Sequence, residues 1–143
     1  MDSEKFFKYF THESIDSKSD DEIEKEIMQS AHYNLRMFVK CVTNSKNFQL
    51  KLMMLANKKG KDISKIDQDS VLKIEYSRAF NFIQRVNIYD KEDVLDMDLL
   101  NPYDLGYCVK ILLEYYLKYE DYQRVGYLHE LLTFIEDRYA DID

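Results

Sequence analysis

Three fragments come nearest to chemistry, and each stops short. His129-Glu130 pairs a metal-ligating imidazole with a general base as zinc-protease helices do, but Thr133 stands where the second histidine must be. Gly60-Lys61 has the glycine and lysine that cradle a phosphate, yet Asp62 follows in place of a hydroxyl and the upstream glycine is missing. Asp90, Glu92, Asp93, Asp96 and Asp98 are spaced somewhat as calcium ligands are. They lack the central glycine, and Asn101 occupies the place of the bidentate glutamate. They read better as helix caps in a solvated acidic segment. His12 and His32 are isolated, and Cys41 and Cys108 fit no metal or disulfide spacing. On apolar helix faces those two are expected as buried free thiols. The expectation is a chain without catalytic residues, metal, cofactor or small-molecule substrate.

The elements that position these residues follow from composition and periodicity. A chain of 143 residues, 45% hydrophobic and 33% charged, can fold as one domain with a real core. One proline and three glycines give too little punctuation for a many-stranded sheet, which favours helices. No apolar run reaches the ~20 residues of a membrane span. The start MDSEKFFKYF is charged, and its apolar part is too short for a signal peptide. These features point to an intracellular protein, or one packaged in a virion. Alanine occurs only at Ala31, Ala56, Ala79 and Ala140, while Lys, Ile, Asn, Tyr and Asp abound. That bias points to an AT-rich genome, as in many bacteriophages, other large DNA viruses and some bacteria.

Residues 1–18 form an aromatic segment (Phe6, Phe7, Tyr9, Phe10) and a serine-containing linker; residues 19–143 form a single helical domain. The aromatic cluster either docks on its own core or inserts into a partner, since left in water it is costly. Ser19 to Glu22 is a capping box. Ile23, Ile27, Ala31, Leu35, Phe38 and Val42 then mark one long amphipathic helix. Residues 43–47 are a polar pause, a turn or an exposed stretch of continuing helix. Phe48, Leu52 and Leu55 resume the apolar spacing, and Lys58-Lys59-Gly60 is a stop. A loop over 61–68 ends at a cap on Asp67 or Asp69. Leu72, Tyr76, Ala79, Ile83 and Val86 mark the next helix, and residues 91–99 a short one.

Asn101-Pro102 starts a further helix, with Asp104 in its first turn. Leu105, Val109, Leu112 and Tyr116 line one face, widened by Cys108 and Tyr115. Asp121 caps a second helix carrying Val125, Leu128, Leu132, Ile135 and Tyr139. So short a link folds the two stripes together, and the rest of the chain is expected to organise around this pair. Gly106 and Gly126 sit at tolerant positions or mark a close helix approach. Leu112, Tyr116, Asp121-Tyr122 and the following helix resemble a tetratricopeptide hairpin, over one unit of about 34 residues. Val125 departs from that pattern, with Gly126 one place late for its small residue, and no second copy lies upstream. The resemblance implies a shared hairpin geometry. The fold class is all-α: an irregular bundle of five to six helices ending in a TPR-like antiparallel hairpin.

Charge and tyrosine are both segregated. The net charge of −7 conceals +7 over residues 36–65, against −5 before and −9 after. If the helix runs unbroken through residue 47, Arg36, Lys40, Lys51 and Lys58 fall within roughly 60° of one another over ~33 Å. Such a face is solvated and loosely paired with the chain's own acids, or docks an acidic protein, or tracks a phosphate backbone. Eight of the twelve tyrosines lie in the C-terminal hairpin. They either fill boundary positions or form an interface, to which Tyr suits well. The functional expectation is a non-catalytic adaptor, accessory or structural component of a larger assembly. It would bind a protein partner, or another copy, through Tyr115, Tyr119 and Tyr122 or through Phe6, Phe7 and Phe10. The alternative is a nucleic-acid-associated regulator using Arg36, Lys40, Lys51 and Lys58.

Overall fold

The computed structural model describes residues 19–59 and 65–140. Among them every regular element is a helix: α1 (Asp20–Gln29), α2 (Ala31–Lys59), α3 (Lys65–Ile83), α4 (Lys91–Met97), α5 (Pro102–Lys118) and α6 (Tyr122–Arg138). The chain is an all-α bundle of six helices among the described residues. Phe6, Phe7 and Phe10, and the stop at Gly60, lie outside them.

The long helix expected from residue 20 is broken once, at Ser30 and not in the polar run. Ser30 adopts extended backbone (φ −69°, ψ 148°) and is buried. Its hydroxyl donates to the Ile27 carbonyl at 2.7 Å and accepts from the Tyr33 N–H at 3.2 Å. Asn34 donates to the Ser30 carbonyl at 2.9 Å, and Asp96 receives the His32 N–H at 3.3 Å. The orphan groups of two helix ends are thus paired inside the molecule. Ile23 and Ile27 on α1 are only half-buried.

Residues 43–47 continue α2 as helix. Ser45 faces inward while Thr43, Asn44 and Asn47 face solvent, so the polar run is an outer face and no backbone breaker interrupts it. α3 starts at Lys65, which puts Asp67 and Asp69 inside the helix, not at its cap. The short helix ends at Met97, capped by the Asp90 carboxylate on the N–H groups of Glu92 and Asp93 at 2.9 and 3.3 Å.

α2, not the C-terminal hairpin, is the organising element: it packs on α1, α3, α4 and α5, and α6 packs on α5. The core combines Leu35, Phe38 and Val42 of α2 with Tyr76, Ala79 and Ile83 of α3. Leu105, Val109 and Leu112 of α5 and Leu128, Leu131 and Ile135 of α6 complete it. Cys41 and Cys108 are buried free thiols; burial pushes Cys41 up and Cys108 up to about 11.

Hairpin geometry follows from its caps. Asn101 Oδ1 accepts from the Tyr103 and Asp104 N–H groups at 2.9 and 3.3 Å. At the turn Glu120 takes the left-handed conformation, φ 58°. Its N–H reaches the Leu117 carbonyl at 3.1 Å, and the Asp121 N–H reaches Tyr116 at 3.0 Å, a Schellman closure. Asp121 also caps α6 through the Arg124 N–H at 3.3 Å, so one residue ends one helix and starts the next. Neither glycine marks a close approach: a Cβ on Gly106 would meet Ile135 at 3.9 Å, and one on Gly126 meets nothing within 4 Å.

Candidate interaction surfaces

At the turn end of the hairpin, Tyr115 and Tyr119 come together with ring centroids 4.9 Å apart. Tyr76 and Tyr116 join them edge-on, at 4.8 and 5.1 Å from the Tyr115 ring. Burial pushes the Tyr115 phenol up to about 12. Between this cluster and α3 lies a cleft of about 460 Å³, rimmed by Lys73, Asp69, Asp121 and Arg124. The Arg124 guanidinium is stacked near Phe80 and Tyr116, 5.1 and 5.0 Å from their ring centres, and pairs with Asp121 at 3.4 Å. Tyr119 and Tyr122 are 48% and 67% exposed. Tyr122 does not line the cleft; it stands apart on the first turn of α6.

The basic face has the condition it needed, an unbroken helix from residue 36 to residue 58. Arg36, Lys40, Lys51 and Lys58 are all exposed. Among the described residues none of the four makes an ion pair, and α2 contains no acidic residue that could supply one. Beside Arg36 and Lys40 a groove of about 710 Å³ opens between α2 and the segment after α4, with Leu99 and Asp104 on its far wall.

Towards its C-terminal end α2 leaves the core. Beyond Ser45 no described residue of α2 is fully buried, and before Tyr76 none of α3 is. The two helices run out together as an arm about 20 Å long. Phe48 and Leu55, expected in the buried stripe, are exposed: among the described residues the main neighbour of this part of α2 is α3. Leu50, Met53 and Met54 are 58%, 57% and 70% exposed, and Ile74 stands out from α3. These residues were not expected at a surface. The signal was present: five of the six residues from 50 to 55 are apolar, and a helix hides only one side.

The acidic segment has structural work. Asp93 accepts from the Asn87 N–H at 2.9 Å, Asp96 serves the Ser30 joint, and Asp98 takes both arms of Arg138 at 2.7 and 2.6 Å. Among the described residues no group of three or more His, Cys, Asp or Glu is arranged to hold a metal, and no helix is long and apolar enough to cross a membrane.

No protein-family model, no curated protein and no solved structure matches this chain.

Proposed function

We propose that the chain is a non-catalytic helical interaction protein, an adaptor, accessory or structural component of a larger assembly. The observation that carries this reading is the arm. Six large apolar side chains (Phe48, Leu50, Met53, Met54, Leu55, Ile74) stand exposed on two helix segments, α2 beyond Ser45 and α3 before Tyr76, in which no described residue is fully buried. Apolar surface gathered in one place marks a contact site more often than scattered residues do. The tyrosines of the TPR-like hairpin supply a second contact surface, with Tyr119 and Tyr122 at its edge and the Tyr115 cleft behind them. Tyr joins large apolar area to a polar tip, which suits a surface wet when free and dry when bound.

The test isolates the native protein with what binds it, then repeats this with a Tyr115→Ser, Tyr119→Ser, Tyr122→Ser variant and with a Leu50→Ser, Met54→Ser variant. Circular dichroism reports whether helical content is kept. Loss of a partner from either variant with helices intact is the expected result. Partners retained by both variants, or turnover of a small compound, would remove the reading.

The second reading is a nucleic-acid-associated regulator, favoured by four exposed cations on one unbroken helix that make no ion pair among the described residues. It requires affinity for DNA or RNA that falls steeply with salt.

A further inference from the structure

The arm presents a definite chemical pattern. At 100° per residue, Lys51 and Lys58 lie on a ridge continuous with Arg36 and Lys40. Phe48 and Leu55 fall on one flank of that ridge, Leu50 and Met53 on the other, and Met54 on the ridge itself. On the α3 side a groove of about 440 Å³ opens between Phe48, Lys51, Val71 and Glu75. Cations therefore alternate with large apolar side chains along one exposed surface, and α2 carries no acidic residue.

From this we propose that the arm is the docking site for an acidic segment of another protein, one in which carboxylates alternate with large apolar side chains. The inference rests on the interaction reading above and names the chemistry of its partner. Carboxylates of such a segment meet Lys51 and Lys58, while its apolar residues cover Leu50 and Met54 and enter the groove beside Phe48. Three other occupants fit less well. A nucleic acid presents about one charge per 1.7 Å of duplex, against four cations over ~33 Å here, and it gains nothing from Met54 or Leu50. A second copy joined about a two-fold axis through the arm sets the lysine ridge against itself. A membrane surface asks for one continuous apolar face, whereas Lys51 and Lys58 divide this one.

The experiment titrates the full chain with a synthetic peptide of roughly 16 residues, about 24 Å if helical, in which Glu alternates with Leu and Phe. The controls are the same peptide with Lys for Glu, single-stranded and duplex DNA oligonucleotides, and phosphatidylserine vesicles. Sedimentation of the chain alone gives its oligomeric state. Binding of the acidic peptide is expected, with no binding of the basic one. Leu50→Ser with Met54→Ser, and separately Lys51→Glu with Lys58→Glu, are each expected to weaken it about tenfold or more, as loss of central contacts does. These side chains are exposed, and unchanged circular dichroism confirms folding. Tyr119→Ser should leave this binding unchanged. No binding of the acidic peptide, equal binding by the arm variants, tighter binding of DNA or vesicles, or a dimer dissolved by the arm substitutions each overturns the proposal. If the acidic peptide fails while native partners are still lost from the tyrosine variant, the interaction reading stands and only this partner falls.

Discussion

Asp98 closes the molecule from the end of α4. Both its oxygens accept from Arg138, at 2.7 and 2.6 Å, and one also takes the Tyr139 hydroxyl at 2.7 Å. The Arg138 hydrogen bonds hold its carboxyl below the ordinary value of 3.8. A carboxylate depressed in the folded state contributes stability above its unfolded value, and that contribution disappears as pH falls through the lower folded value. The pair is partly exposed, so water screens it and about 1 kcal/mol is the expected scale. Thermal unfolding of Asp98→Asn should show lower stability than the parent at pH 7 and nearly the same stability well below pH 3.8. An equal deficit at both would assign the loss to packing. The sequence marks Asp98 only as one of several carboxylates in the acidic segment; its pairing with Arg138 does not show there, because forty positions separate the two.

At the scale of elements, what was legible was what is local. Asn101-Pro102, Ser19 and Asp121 each cap the helix that their side-chain chemistry marks. The stripe of α5 buries Leu105, Val109, Leu112 and Tyr116 as its spacing marks them, whereas Leu72 of α3 and Val125, Leu132 and Tyr139 of the α6 stripe are half-buried, with Leu131 in the core instead. What was not legible depends on neighbours. The break at Ser30 replaces a continuous helix because Asn34 and Asp96, the latter more than sixty positions away, supply the hydrogen bonds that make it tolerable. The hairpin turn carries a local cost: Glu120 sits in the left-handed region, where an L side chain loses about 1 kcal/mol. Glu120→Gly is expected to raise stability by up to about 1 kcal/mol, the relief offset in part by the freer unfolded chain. Chemical denaturation measures this directly, and a destabilised variant would mean that the Glu120 side chain contributes more than its backbone costs.

For the molecule as a whole, the division into body and arm matters most. The body gathers every fully buried described residue, while the arm holds α2 beyond Ser45 against α3 before Tyr76. Local stability follows burial. Backbone amides of residues 46–59 and 65–75 are therefore expected to exchange with deuterium much sooner than those of residues 31–42 and 105–116. An occupant on the arm should slow the first set and leave the second alone. Uniform protection along α2 would show that the helix opens only as a unit. Periodicity read this region as core because it registers apolar spacing, and spacing alone does not reveal that the third layer ends at Ser45.

A 29-residue helix fixed at one end is also a lever. α2 is held near Ser30 by hydrogen bonds and along Leu35 to Val42 by packing, and beyond Ser45 no described residue of it is fully buried. A tilt of roughly 5° about Ser45 sweeps residue 59 through about 2 Å, given 1.5 Å of rise per residue. The contacts that such a tilt would load first are the Gln49 amide on the Tyr76 hydroxyl, at 3.3 Å, and behind it the Tyr76 ring edge-on to Tyr115.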